Sequence, residues 1–176
     1  MEQVVRYSCT LRKLLKDDDF HGLKELSKDA AKDAFIYQNS ALVDASVVAY
    51  SISKMAQKSS LYLTPSWKAF RKKALEKLKI ACDEQEPSVT IMHDLLEEVY
   101  RLSAQFGRFA QNIVEKARLR AAAQMYAHGA SLLKAAEFSG CPVQEASSYI
   151  GATRIPEKYK TMAVDARLRR LRELFA

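Results

Sequence analysis

From Ser88 to Val114 the apolar residues Val89, Met92, Leu95, Leu96, Val99, Leu102, Phe106, Phe109, Ile113 and Val114 recur at intervals of three and four. A helix turning every 3.6 residues gathers such positions on one face, whereas a strand would scatter them over both. The same spacing runs through most of the chain. Val4, Tyr7, Leu11, Leu14 and Leu15 form a first stripe, and Trp67, Phe70, Ala74, Leu78 and Ala81 form another. Only 5 Gly and 4 Pro interrupt 176 residues, which favours helix strongly over a turn-rich β architecture. The chain is expected to be all-α: a multi-helix bundle of about five helices over residues 1–128, followed by a C-terminal helix-turn-helix-like module over 129–176.

Helix boundaries follow from capping chemistry. Asp17, Asp18 and Asp19 end the first stripe, and their carboxylates suit the free N–H groups of the next helix better than a cation. Phe20, Leu23 and Leu26 begin a second helical pattern, and Ser27 with Asp29 can start another. Asn39 or Ser40 can cap the most apolar stretch, ALVDASVVAYSISKMAQK, which is hydrophobic around most of its circumference and therefore central. Asp44 falls inside it and needs a hydroxyl or basic partner. Thr64 followed by Pro65 starts a further helix, and Ser88 is a cap candidate for the long tract. Gly107 marks a kink or a close helix contact in that tract, and Gly129 ends it.

Charge is distributed unevenly. Residues 1–115 hold 17 Lys or Arg against 16 Asp or Glu, while residues 116–176 hold 11 against 5. Most of the net charge of +7 therefore sits in the last third, which points to a polyanionic partner or to a basic solvated surface. Lys68, Arg71, Lys72 and Lys79 lie opposite the Trp67–Phe70 stripe. Aromatics interleaved with bases can stack on nucleic acid, but the spacing favours a core stripe with a solvated basic back.

Catalytic and metal chemistry is not indicated. The chain contains no Gly-rich phosphate loop and no HExxH. His21, His93 and His128 stand apart, and the neighbours His93 and Asp94 point to different faces of a helix. Arg120 and His128 are eight apart, too far for the Arg–His spacing of toxin-type helical ribonucleases. Neither an enzyme activity nor a cofactor is expected. Cys9, Cys82 and Cys141 are few, odd in number and far apart, which suggests neither a disulfide framework nor a metal site and fits a reducing cytoplasm. With no leader-like N-terminus and no run near the ~18 apolar residues of a membrane span, the chain is expected to be soluble, cytoplasmic and without a membrane partner.

Ser131 to Arg154, SLLKAAEFSGCPVQEASSYIGATR, reads as two short helices about a turn at Gly140. Ser131 caps the first, Ala136 permits a close crossing, and Ala146, Tyr149 and Ile150 return an apolar face to it. Were Pro142 to Gly151 a recognition helix, Gln144, Glu145, Ser147 and Ser148 would face outward. Gln pairs with adenine and Ser with bases or phosphates, but the helix offers no Arg for guanine. The flanking cations Lys134, Arg154, Lys158 and Lys160, with Thr153, suit phosphate clamping instead. In the terminal segment VDARLRRLRELFA, Val164, Leu168, Leu171 and Phe175 share one face, and a short coiled contact there would make a homodimer.

Residues 116–176, and Ala135, Ala136, Gly140, Tyr149, Gly151, Thr153 and Arg154 above all, resemble the C-terminal part of a group of archaeal helix-turn-helix-like proteins. The resemblance implies a DNA- or protein-binding module with no established reaction. Two functions are therefore expected in order: non-catalytic, regulatory binding of duplex DNA through this module, or docking of a partner protein helix.

Overall fold

A computed structural model describes residues 2–83 and 87–153, and every element within them is a helix. In chain order these are α1 (Glu2–Lys16), α2 (Phe20–Tyr37), α3 (Ser40–Ala56), α4 (Ser59–Tyr62), α5 (Pro65–Asp83), α6 (Pro87–Gln105), α7 (Arg108–Ala127), α8 (Leu132–Ser139) and α9 (Val143–Thr153). The apolar stretch of α3 is the axis of the bundle. Fourteen of its 17 residues are buried, because α2, α6 and α7 all pack against it. Two buried serines join α2 to this axis: Ser46 Oγ donates to the Ser27 carbonyl at 2.8 Å, and the hydroxyls lie 3.2 Å apart. Ser27 therefore sits inside a continuous α2, and no new helix begins there as the sequence suggested.

The caps obey local chemistry. Asp19 accepts from Gly22 N at 2.8 Å, Asn39 from Ala41 N at 3.0 Å, and Thr64 Oγ1 from Trp67 N at 3.2 Å. Ser88 is not a cap, since α6 starts at Pro87 and encloses Ser88 in the core. Gly107 divides the long tract into α6 and α7. Its φ of +73° is left-handed, and a Cβ there would meet nothing within 4 Å, so backbone conformation and not a close helix contact requires glycine. With that break and the four-residue α4, the described part of 1–128 holds seven helices where about five were expected.

The cysteines overturn an expectation. α1 packs along α5, and Cys9 and Cys82, 73 positions apart in the chain, form a disulfide across the seam with Cα atoms 5.1 Å apart. Cys141 is free. No local spacing announces such a pair, because only the register of α1 on α5 brings the sulfurs together. The cysteine pattern consequently gives no argument for a reducing compartment. None of the described helices is long and apolar enough to cross a membrane.

Candidate nucleic-acid interface

The hairpin of α8 and α9 rests on α7. Ser131 caps α8 by accepting from Lys134 N at 3.2 Å. At the other end Gly140 adopts φ +68°, ψ +36°, and Cys141 N reaches back to the Ala136 carbonyl at 3.1 Å, the six-to-one closure that a left-handed residue after a helix permits. Ala135, Ala136 and Ala146 are wholly buried, so their small side chains let α8 and α9 approach each other and α7 closely. The buried cluster that begins at Val4 runs without interruption to Ala146.

Arg118 of α7 locks the turn. Its Nε donates to the Tyr100 hydroxyl at 2.6 Å and its Nη1 to the Ser139 carbonyl at 2.8 Å, tying α6 and the end of α8 to α7. A Cβ on Gly140 would run into the same Nη1. Sequence reasoning did not single out Arg118. It lies 21 residues before Ser139, and no local pattern marks an arginine that caps a helix across a tertiary contact.

α9 presents Gln144, Glu145, Ser147 and Ser148 to solvent, as the hairpin geometry anticipated. Ser148 Oγ donates to Gln144 O at 2.9 Å and Thr153 Oγ1 to Tyr149 O at 2.8 Å, so both hydroxyls bond their own helix and keep lone pairs free to accept. Leu119 of α7, with Gln144, Glu145, Ser148 and Tyr149, borders a shallow groove of roughly 430 Å³. Lys134 is exposed on α8 but lies 3.3 Å from Glu137, which neutralises part of its field. Leu133 and Val143 are also exposed, at 66% and 38%. Arg154, Lys158, Lys160 and the terminal apolar repeat from Val164 to Phe175 lie outside the described residues.

The other candidates of the sequence fall elsewhere. Trp67 and Phe70 are 1% and 7% exposed, so they belong to the core and offer no stacking platform. Arg71 pairs with Asp18 at 3.0 Å and donates to the carbonyls of Leu15 and Lys16, closing the end of α1. Arg120 and His128 are engaged separately, the first over the Tyr50 ring and the second against the Gln124 carbonyl. Asp44 does find a basic partner: His93 Nδ1 lies 3.4 Å away. The histidines are thus not all remote from acids, because α6 packs on α3 and joins residues 49 apart. Burial holds the Asp44 carboxyl above its ordinary range, while His93 and then Arg118 pull it back. Asp94 turns to Lys77 instead, at 3.3 Å, as adjacent helical positions must diverge. Among the described residues no group of His, Cys, Asp or Glu is placed to hold a metal ion.

No protein-family model, curated protein or solved structure matches this chain.

Proposed function

We propose that the α8–α9 hairpin is a helix-turn-helix-like module and that the protein binds duplex DNA through it, without catalysis and in a regulatory role. One observation carries this reading: α9 is a short helix held by buried alanines whose exposed face is Gln144, Glu145, Ser147 and Ser148. Such a face has no packing duty, and its amide and hydroxyls are groups that read base edges or accept water-bridged contacts. α9 itself carries no Lys or Arg, so affinity has to come from cations around it, with Arg154, Lys158 and Lys160 the candidates.

Titration of a duplex at two salt concentrations tests the proposal. Binding that weakens steeply with salt is expected, and is lost in Ser147→Asp/Ser148→Asp, whose new carboxylates face phosphate while the helix stays solvated. No binding at low salt would end the reading. Arg154→Ala should weaken binding with thermal stability unchanged.

A second reading is favoured by a different observation. Leu133 and Val143 expose apolar surface on the hairpin, and α9 carries Glu145 and no cation, which suits docking of a partner protein helix. Under that reading Leu133→Asp abolishes the complex, and duplex affinity is absent throughout.

A further inference from the structure

α1 and α5 together hold ten Lys or Arg against three Asp or Glu. The near balance of residues 1–115 conceals this, because the acids are concentrated elsewhere, in the Asp17–Asp19 turn, α2 and α6.

The two helices run antiparallel, since Cys9 meets Cys82 while the carbonyls of Leu15 and Lys16 meet Arg71. Helical register then sorts the cations of α5 onto two flanks. On the flank toward α6, Lys73 reaches Glu98 at 2.6 Å and Lys77 reaches Asp94 at 3.3 Å. On the flank toward α1, the side of Arg71 and Cys82, stand Lys68, Lys72 and Lys79. All three are exposed, and none has a carboxylate within ion-pair distance among the described residues. Across the seam, Arg12 and Lys16 fall on the α5-facing flank of α1, the side of Cys9, and are equally without an acidic partner there. Among the described residues Glu76 and Asp83 of α5 and Asp17 beside α1 are uncommitted carboxylates near the strip, fewer than its five cations.

We propose that this seam, Arg12 and Lys16 facing Lys68, Lys72 and Lys79, is a second polyanion-binding strip that tracks the phosphate backbone of a nucleic-acid duplex. Uncompensated cations fixed on two packed helices repel one another, and a row of phosphates relieves that repulsion while releasing condensed counterions. Lys68 to Lys79 spans about 16 Å of helix, roughly half a duplex turn. The strip carries no exposed aromatic, which disfavours single strands that bind by stacking. Nor does it carry a large aliphatic for membrane insertion: Ile80 is exposed, but lies about 100° round the helix from Lys79. Contacts of this kind carry no sequence information. The strip stands apart from the α9 face, and the inference does not rest on the hairpin.

The test is a salt series of anisotropy titrations with a labelled duplex. Lys68→Gln/Lys72→Gln/Lys79→Gln is expected to lower the slope of log affinity against log salt by about 2–3, at ~0.9 for each phosphate no longer neutralised. A control removing the same charge from paired lysines, Lys28→Gln/Lys73→Gln/Lys77→Gln, is expected to change the slope by less than half as much. Circular dichroism should show both variants folded. Equal slopes in the two triples would reduce the effect to net charge and overturn the strip. So would loss of binding to phosphatidylserine vesicles in the first triple with duplex affinity intact, which would assign the strip to a membrane surface. If Ser147→Asp/Ser148→Asp leaves affinity unchanged while the first triple lowers it, the hairpin reading fails and the strip stands. The reverse pattern removes the strip alone.

Discussion

Replacing Gly140 by alanine probes how the hairpin is fixed to the bundle. Two costs arise. At φ +68° an L side chain is strained, at about 1–2 kcal/mol. The new Cβ also displaces the Arg118 guanidinium, which donates to the Ser139 carbonyl and the Tyr100 hydroxyl. A charged hydrogen bond contributes about 1.5–3 kcal/mol when buried, but Arg118 is only partly buried and water recovers some of it, so about 1 kcal/mol is expected here. Gly107 supplies the control: its φ is +73° and the space around it is open, so Gly107→Ala carries strain alone. Urea unfolding should therefore place Gly140→Ala about 1 kcal/mol below Gly107→Ala, and about 2–3 kcal/mol below the parent. For a chain of this size that corresponds to a loss of roughly 5–10 °C in Tm. A cycle with Arg118→Ala isolates the contact, because once the guanidinium is gone the Cβ has nothing to displace, and the double variant should recover about 1 kcal/mol. Equal effects of the two glycine substitutions, or strict additivity in the cycle, would refute the lock.

Three further outcomes follow from the core. Asp44→Asn retains an acceptor toward His93 but removes a desolvated charge. Because burial raises the folded carboxyl above its unfolded value, Asp44 supports folding fully only at low pH, and that support is lost as pH rises through the folded value. The Tm of Asp44→Asn relative to the parent should accordingly be higher near pH 7 than near pH 4, and a pH-independent difference would contradict this. Thiol titration of the unreduced, denatured chain should find one free thiol, Cys141, and three after reduction; closing a 73-residue separation stabilises by about 4 kcal/mol in the chain-entropy account, measurable as a lower urea midpoint in reductant. Trp67, the single tryptophan, should emit in the blue-shifted range, resist acrylamide quenching and stay unchanged when duplex is added, whereas a red shift or duplex-dependent quenching would place it on the surface.

Much of the fold was legible because it is local. Three-and-four spacing, Asp19 and Asn39 as caps, Thr64 before Pro65, and Gly140 at a turn are each decided within one or two helical turns. The face of α9 was legible for the same reason, since Ala146 is buried while Gln144, Ser147 and Ser148 are exposed. Ser27 and Ser88 were misread by the same logic. A serine that can cap a helix can equally lie buried within one, as Ser88 does in α6, or bond across a buried contact, as Ser27 does with Ser46 of α3.

Relations over long sequence distances were left to the tertiary structure. The Cys9–Cys82 disulfide, the Asp44–His93 pair and the Arg118 lock join residues 73, 49 and 21 apart, and none has a periodic signature. Charge shows the difference most plainly. Counted along the chain, the first 115 residues are nearly neutral, yet packing α1 against α5 gathers cations on one seam and leaves the acids of α6 to neutralise the opposite flank. Which stretches turn into helices, and which face of each is apolar, was legible along the chain because those depend on nearest neighbours, even where a helix began or ended elsewhere than expected. Which helices meet decided the rest, since ion pairing, disulfide formation and the surface field depend on distances in space that no spacing in the sequence records.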